Sequence, residues 1–145
     1  GYNYRMNDIS AALGINQLSK IEKFINERNR IANIYKKNLK NYPIKFQKVE
    51  SYNLSSYHLV IIQIDLKKTK FTYQNIFKRL RNKNIYTNLH YMPLHLSHFF
   101  SKNKRKNKKF PTSENYGKSS LSIPVYYGLS DKELFKVCRE LKNFF

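Results

Sequence analysis

Apolar residues recur with a helical period from Asp8 to about Leu39, and this run constrains the chain more than any other feature. Ile9, Ala12, Leu13, Leu18, Ile21, Ile25, Ile34 and Tyr35 fall near the three-to-four-residue spacing of a buried stripe. Asn7 or Asp8 can accept hydrogen bonds from the first free amides and so cap the run. Gly14 weakens the first half, and the stripe changes phase between Ile25 and Glu27. Two helices, or one bent helix, are therefore expected, with the break near Lys23–Asn26. Asn41-Tyr42-Pro43 closes the segment, since proline cannot continue a helix.

The pattern then changes to mixed elements. Tyr57 to Ile64 is rich in β-branched and aromatic residues and reads as a well-buried strand. Thr72 suits a helix N-cap, and Ile76, Phe77 and Leu80 give the helix after it a core face through about Lys83. Ile85 to Tyr91 reads as a second strand, ended by Met92-Pro93, and residues 94–110 as a polar loop. Pro111 to about Ser119 has the proline-first form of a short helix. Leu121-Ser122-Ile123-Pro124 is a brief strand that its proline marks as an edge or terminal piece. Ser130-Asp131-Lys132-Glu133 is a capping box, followed by Leu134, Val137, Cys138, Leu141 and Phe145 on one face of a final helix. The expected fold class is α+β.

Composition removes several classes of function. The length of 145 residues suits one domain or part of a larger protein. One cysteine excludes an internal disulfide framework and four-cysteine zinc modules, and fits a reducing compartment. The longest apolar stretch, around Leu59-Val60-Ile61-Ile62, is too short to span a bilayer, and no signal-peptide pattern opens the chain. Gly1-Tyr2-Asn3-Tyr4-Arg5-Met6 has no initiator methionine and reads as mid-protein sequence, so a longer polypeptide is expected.

The net charge of +19 attracts nucleic acid or anionic lipid non-specifically. Yet the 28 basic residues are mostly lysine, mixed with much Asn, Ile, Tyr and Phe, which is the composition of an A/T-rich coding bias. The dense run Lys102–Lys109 contains no aromatic to stack a base and reads as a solvated loop. A basic α+β nucleic-acid-binding module is the alternative reading.

No self-contained catalytic constellation is visible. The nine carboxylates do not cluster, and the four glycines form no phosphate loop. His90, His95 and His98 match no zinc spacing, so no metal is expected, and Cys138 reads as an inert core thiol. Two stretches stand out. In the first, Asn3, Arg5 and two tyrosines precede a helix N-terminus, where free amides favour an anion; Asn3 organising a turn is an equal account. In the second, Asn88 to His95, a strand runs into aromatic and imidazole groups beside a proline. Ligand contact and simple packing of Tyr91 with a solvated His95 stand level there.

The block Gly1 to Gly14 closely resembles the GYNYRM segment of the sugar-nucleotide aminotransferases of the DegT/StrS type, pyridoxal-phosphate enzymes of aminotransferase fold type I. The likeness continues in order through Gln17-Leu18, Arg28-Asn29-Arg30, His90-Tyr91-Met92-Pro93-Leu94-His95, Pro111…Glu114…Tyr116 and Leu121 to Asp131. It implies the C-terminal part of such an enzyme. Residues 1–25 would end the large domain with the cofactor-phosphate loop and the helix after it. Residues 26–145 would form the small domain, with a small, mostly antiparallel sheet and helices on one face. The Schiff-base lysine and the acid that pairs the pyridinium nitrogen would lie upstream of Gly1, leaving no catalytic residue here and a fragment that does not transaminate alone.

The resemblance also implies roles. Asn3 would reach across a homodimer to the pyridoxal 5'-phosphate of the neighbouring subunit, and Arg5 would offer a fork to a phosphate or to the nucleotide diphosphate. Tyr91 and His95 would line the sugar-nucleotide side of the cleft. The two blocks look most like the branch that serves pseudaminic acid biosynthesis, with a UDP-linked 4-keto-6-deoxy-N-acetyl hexosamine as substrate and glutamate as amino donor. Such an enzyme is cytoplasmic, with no membrane or nucleic-acid partner; the basic run at 102–109 departs from the family.

Overall fold

Asn7 opens the first helix, its side-chain oxygen accepting from the Ser10 amide at 2.8 Å. The computed structural model describes residues 2–101 and 109–145, so most of the basic run Lys102–Lys109 lies outside the described residues. Helix α1 covers Asp8–Leu18 and α2 covers Ile21–Leu39. The break thus falls at Ser19 and Lys20 rather than at Lys23–Asn26. There the Ser19 hydroxyl donates to the Asn16 carbonyl at 2.9 Å and the Lys20 ammonium to the Asn16 side chain at 2.6 Å, closing α1 locally.

The phase change near Ile25 has a different cause. On α2, Ile31, Ala32, Tyr35 and Leu39 are buried, whereas α1 has no buried residue at all. Ile9, Leu13 and Leu18, expected in one buried stripe, are 76%, 62% and 64% exposed, and Ile21 is exposed too. The stripe is two surfaces: one packs on this chain's core, and the other faces away from it.

Four antiparallel strands form the sheet: β1 Ile44–Phe46, β2 Val60–Ile64, β3 Asn88–Leu89 and β4 Ser120–Ile123, in spatial order β1-β2-β4-β3. Alternation along β2 sends Val60, Ile62 and Ile64 into the core, where Ile62 lies opposite Phe46 on one side and Leu121 on the other. Gln63, on the other face, donates to the Ser119 hydroxyl at 3.0 Å.

Three expectations for the strands are corrected. The strand expected from Tyr57 begins only at Val60, because Tyr57 adopts a left-handed φ of 43°. Side chains of α2 hold that stretch: Arg28 donates to the carbonyls of Tyr57 and His58 at 3.2 and 3.0 Å, and Asn29 to that of Ser55 at 2.8 Å. The strand expected over Ile85–Tyr91 shrinks to Asn88–Leu89, because the Ile85 amide turns back to the Leu80 carbonyl at 2.9 Å and finishes a helix. Finally, β4 is interior rather than an edge. Pro124 stands just past its last residue, so the missing N–H breaks no ladder bond, and its carbonyl accepts from the buried Tyr35 hydroxyl at 3.0 Å.

Helix α3, Tyr73–Asn82, starts at Thr72, whose hydroxyl accepts from the Asn75 amide at 3.2 Å, and it buries Ile76 and Leu80. A short helix, α4, spans His98–Ser101, and α5 spans Pro111–Ser119 with proline in its first turn. Helix α6, Asp131–Lys142, buries Leu134, Val137, Cys138 and Leu141. Phe144, not Phe145, continues that face. The helix ends at Lys142, and the turn after it sets the Phe144 ring edge-on to Phe71 at 5.6 Å while Phe145 stays exposed. Burial pushes the Cys138 thiol up to about 11, which suits an inert core group.

The capping box of α6 is complete: the Glu133 amide donates to Ser130 Oγ at 3.3 Å and the Ser130 amide to Glu133 Oε2 at 3.1 Å. Ser130→Ala should cost about 1 kcal/mol in a urea melt. Hydrogen bonds from the Ser130 hydroxyl and amide hold the Glu133 carboxyl below the usual carboxylate range. Its folded value is depressed, so the contribution is full above the unfolded value and is lost as pH falls through the folded one. The alanine variant should therefore lose less stability on acidification than the parent.

Candidate functional site

Residues 2–7 form an irregular lead into α1, and all six are exposed. The Tyr2 and Tyr4 rings stack with centroids 5.5 Å apart, and the Tyr4 amide donates to the Tyr2 carbonyl at 3.1 Å. Asn3 and Arg5 are exposed, and among the described residues neither side chain has a hydrogen-bond or ion-pair partner. Both offer N–H donors to an acceptor such as a phosphate oxygen, close to the positive end of α1. The segment is organised by its backbone and stacked tyrosines, not by the Asn3 side chain.

The second stretch, His90 to Ser97, lies against α5. His90 is buried and its ring meets Tyr91 edge-on at 4.7 Å; burial pushes its pKa down, so it is the neutral imidazole at neutral pH. Tyr91 is 72% exposed. His95 turns inward instead: Nε2 lies 3.2 Å from Glu114 Oε1, and its ring is 4.7 Å from Phe110. Glu114 Oε1 also accepts from the Phe110 amide at 3.1 Å. That amide first, and His95 second, hold the Glu114 carboxyl below the usual range.

Gly117 completes the contact. A Cβ there would come within 2.8 Å of the Tyr91 carbonyl oxygen and 2.9 Å of Pro93 Cδ, so only glycine lets α5 approach this closely. The sequence carried Glu114 only as part of a likeness and gave Gly117 no role. The signal was a Glu-x-x-Gly spacing, which puts both residues on one helix face.

The chain does not itself join its two candidate stretches. No hydrogen bond, ion pair or ring contact among the described residues links Asn3 or Arg5 to Tyr91 or His95. None of the four lines the half-open hollow of about 500 Å³ at the sheet end, which is bounded by His58, Tyr86, Asn88, Tyr126 and Lys136. Among the described residues no three His, Cys, Asp or Glu side chains gather to hold a metal ion, and no helix is long and apolar enough to cross a membrane.

This arrangement of helices on a small antiparallel sheet is the fold of the C-terminal portion of known aminotransferases. The solved structure of Helicobacter pylori PseC, an aminotransferase involved in the biosynthesis of pseudoaminic acid, superposes with a TM-score of 0.84 at 24% identity, over 99% of this chain and 39% of that one. The model of the DegT/DnrJ/EryC1/StrS aminotransferase family matches residues 1–142, and the chain belongs to that family. It is 31% identical over 145 residues to a GDP-perosamine synthase of Escherichia coli O157:H7, covering 100% of this chain and 38% of the relative. It is also 31% identical over 151 residues to a UDP-4-amino-4,6-dideoxy-N-acetyl-beta-L-altrosamine transaminase of Campylobacter jejuni, covering 99% and 40%. The chain thus spans about two fifths of the length of these relatives.

Proposed function

We propose that this chain is the small-domain portion of a cytoplasmic, pyridoxal-phosphate-dependent aminotransferase that works as a homodimer on a nucleotide sugar. The substrate in this reading is a UDP-linked 4-keto-6-deoxy-N-acetyl hexosamine and the amino donor is glutamate. One observation carries it: the lead segment presents, among the described residues, unpartnered donors on Asn3 and Arg5 ahead of a helix whose apolar residues no described residue buries. Exposed apolar residues grouped on one helix mark a surface suited to interaction.

The exposure of α1 supports a division into two parts in this reading. Residues 1–25 would be the end of the large domain, consistent with α1 burying no residue in this core, and residues 26–145 would be the small domain. The donor set suits the cofactor's phosphate, because the Asn3 amide NH₂ and the Arg5 guanidinium both donate to its oxygens, and the guanidinium adds positive charge. Asn3 and Arg5 would hold that phosphate from the neighbouring subunit. When bound, the cofactor supplies the electron sink for amino transfer. Tyr91, exposed at the rim of the small domain, meets the sugar nucleotide.

Asn3→Ala in the full-length protein tests this reading. Cofactor occupancy, read by absorbance after dialysis, should fall about tenfold at limiting cofactor, the effect of one lost hydrogen bond to a charged group. The melting temperature of cofactor-free protein should not move, since Asn3 is exposed. Equal occupancy in the variant and the parent would refute the assignment.

A further inference from the structure

Glu114 and Gly117 stand one turn apart on α5, and each grips a different part of the same passing strand end. Gly117 meets backbone and ring atoms of Tyr91 and Pro93, which cannot rotate out of the way. Glu114 ties His95 to the start of α5 by accepting, at one oxygen, from both the imidazole and the Phe110 amide. Between these points the chain makes a tight turn, with the Leu96 amide donating to the Pro93 carbonyl at 2.9 Å and the Ser97 amide to that of Leu94 at 3.0 Å. The His95 and Glu114 side chains are only 24% and 27% exposed, while Tyr91, Met92 and Leu94 point outward.

We propose that Glu114 and Gly117 form a two-point clamp that sets the Tyr91–His95 block, so that His95 is a positioning residue acting through Glu114 and Tyr91 is the side chain that meets substrate. The clamp rests on geometry alone; its consequence for substrate rests on the function proposed above. His95 spends Nε2 on Glu114 and a ring face on Phe110, which leaves little of it to contact a ligand. Losing the pair frees the turn, and the exposed Tyr91 then samples many positions instead of one.

The test uses the full-length protein with Glu114→Ala, Glu114→Gln, His95→Gln, Tyr91→Ala and the Glu114→Ala/His95→Gln double variant. Glu114→Ala and His95→Gln should each raise KM for the UDP-sugar about tenfold with kcat little changed, and the double variant should be no worse than either, because one clamp is lost once. Glu114→Gln keeps an acceptor oxygen and should recover most of the loss. Additive losses in the double variant would place His95 on the substrate and overturn the proposal. Amide exchange at Leu96 and Ser97 gives an arm that needs no activity: it should quicken about tenfold in Glu114→Ala and stay unchanged in Tyr91→Ala. Unchanged exchange in Glu114→Ala overturns the clamp. Quickened exchange in a protein that does not turn over UDP-sugars supports the clamp and removes the proposed function instead. Gly117→Ala should reproduce both effects of Glu114→Ala wherever that variant folds.

Discussion

Ile62→Ala will cost the chain about 3 kcal/mol of folding stability, the usual price of emptying a fully buried aliphatic site. Ile62 has 0% exposure and sits on β2 between Phe46 of β1 and Leu121 of β4, at the centre of the sheet. Helices α2 and α6 press their own buried residues on the core that β2 completes, so the hole left by the missing atoms has rigid walls and collapses poorly. The midpoint of urea unfolding should fall with an unchanged slope, because the same surface is exposed on unfolding. A loss below about 1 kcal/mol would mean that the sheet centre is not the packed core described here.

Leu13→Glu will have the opposite profile. Leu13 lies on α1, exposed along with Met6, Ile9, Ile15 and Leu18, so a carboxylate there meets only water in this chain and should move its stability by less than about 0.5 kcal/mol. If α1 faces the subunit contact of the homodimer proposed above, an unpaired carboxylate desolvated there costs several kcal/mol. Sedimentation should then show the dimer replaced by monomer at micromolar concentration. A variant that sediments like the parent would show that α1 does not face the subunit contact.

These two substitutions separate what local chemistry specifies from what distant partners decide. Thr72, Pro111 and Ser130 each announce a helix start within three or four residues, and each start stands in the structure. The apolar residues of α1 and α2 were legible as helical, but which surface covers them depends on groups far along the chain or outside it. The same holds for the start of β2, fixed by Arg28 and Asn29 from 26 to 30 residues away. Asn3 and Arg5 were legible as a motif ahead of a helix, and both are exposed there. The inward turn of His95 was not legible, because Glu114 lies 19 residues on and nothing local links them.

In the function proposed above, this chain is the smaller part of an enzyme whose bound cofactor accepts an amino group and passes it to a sugar nucleotide. The absorbance spectrum of the full-length protein, purified with pyridoxal phosphate, tests it most directly. A near-visible band should be present, should shift to shorter wavelength when glutamate is added, and should return when the UDP-linked keto sugar follows. A protein without that band, or with one that glutamate leaves unmoved, would contradict the account.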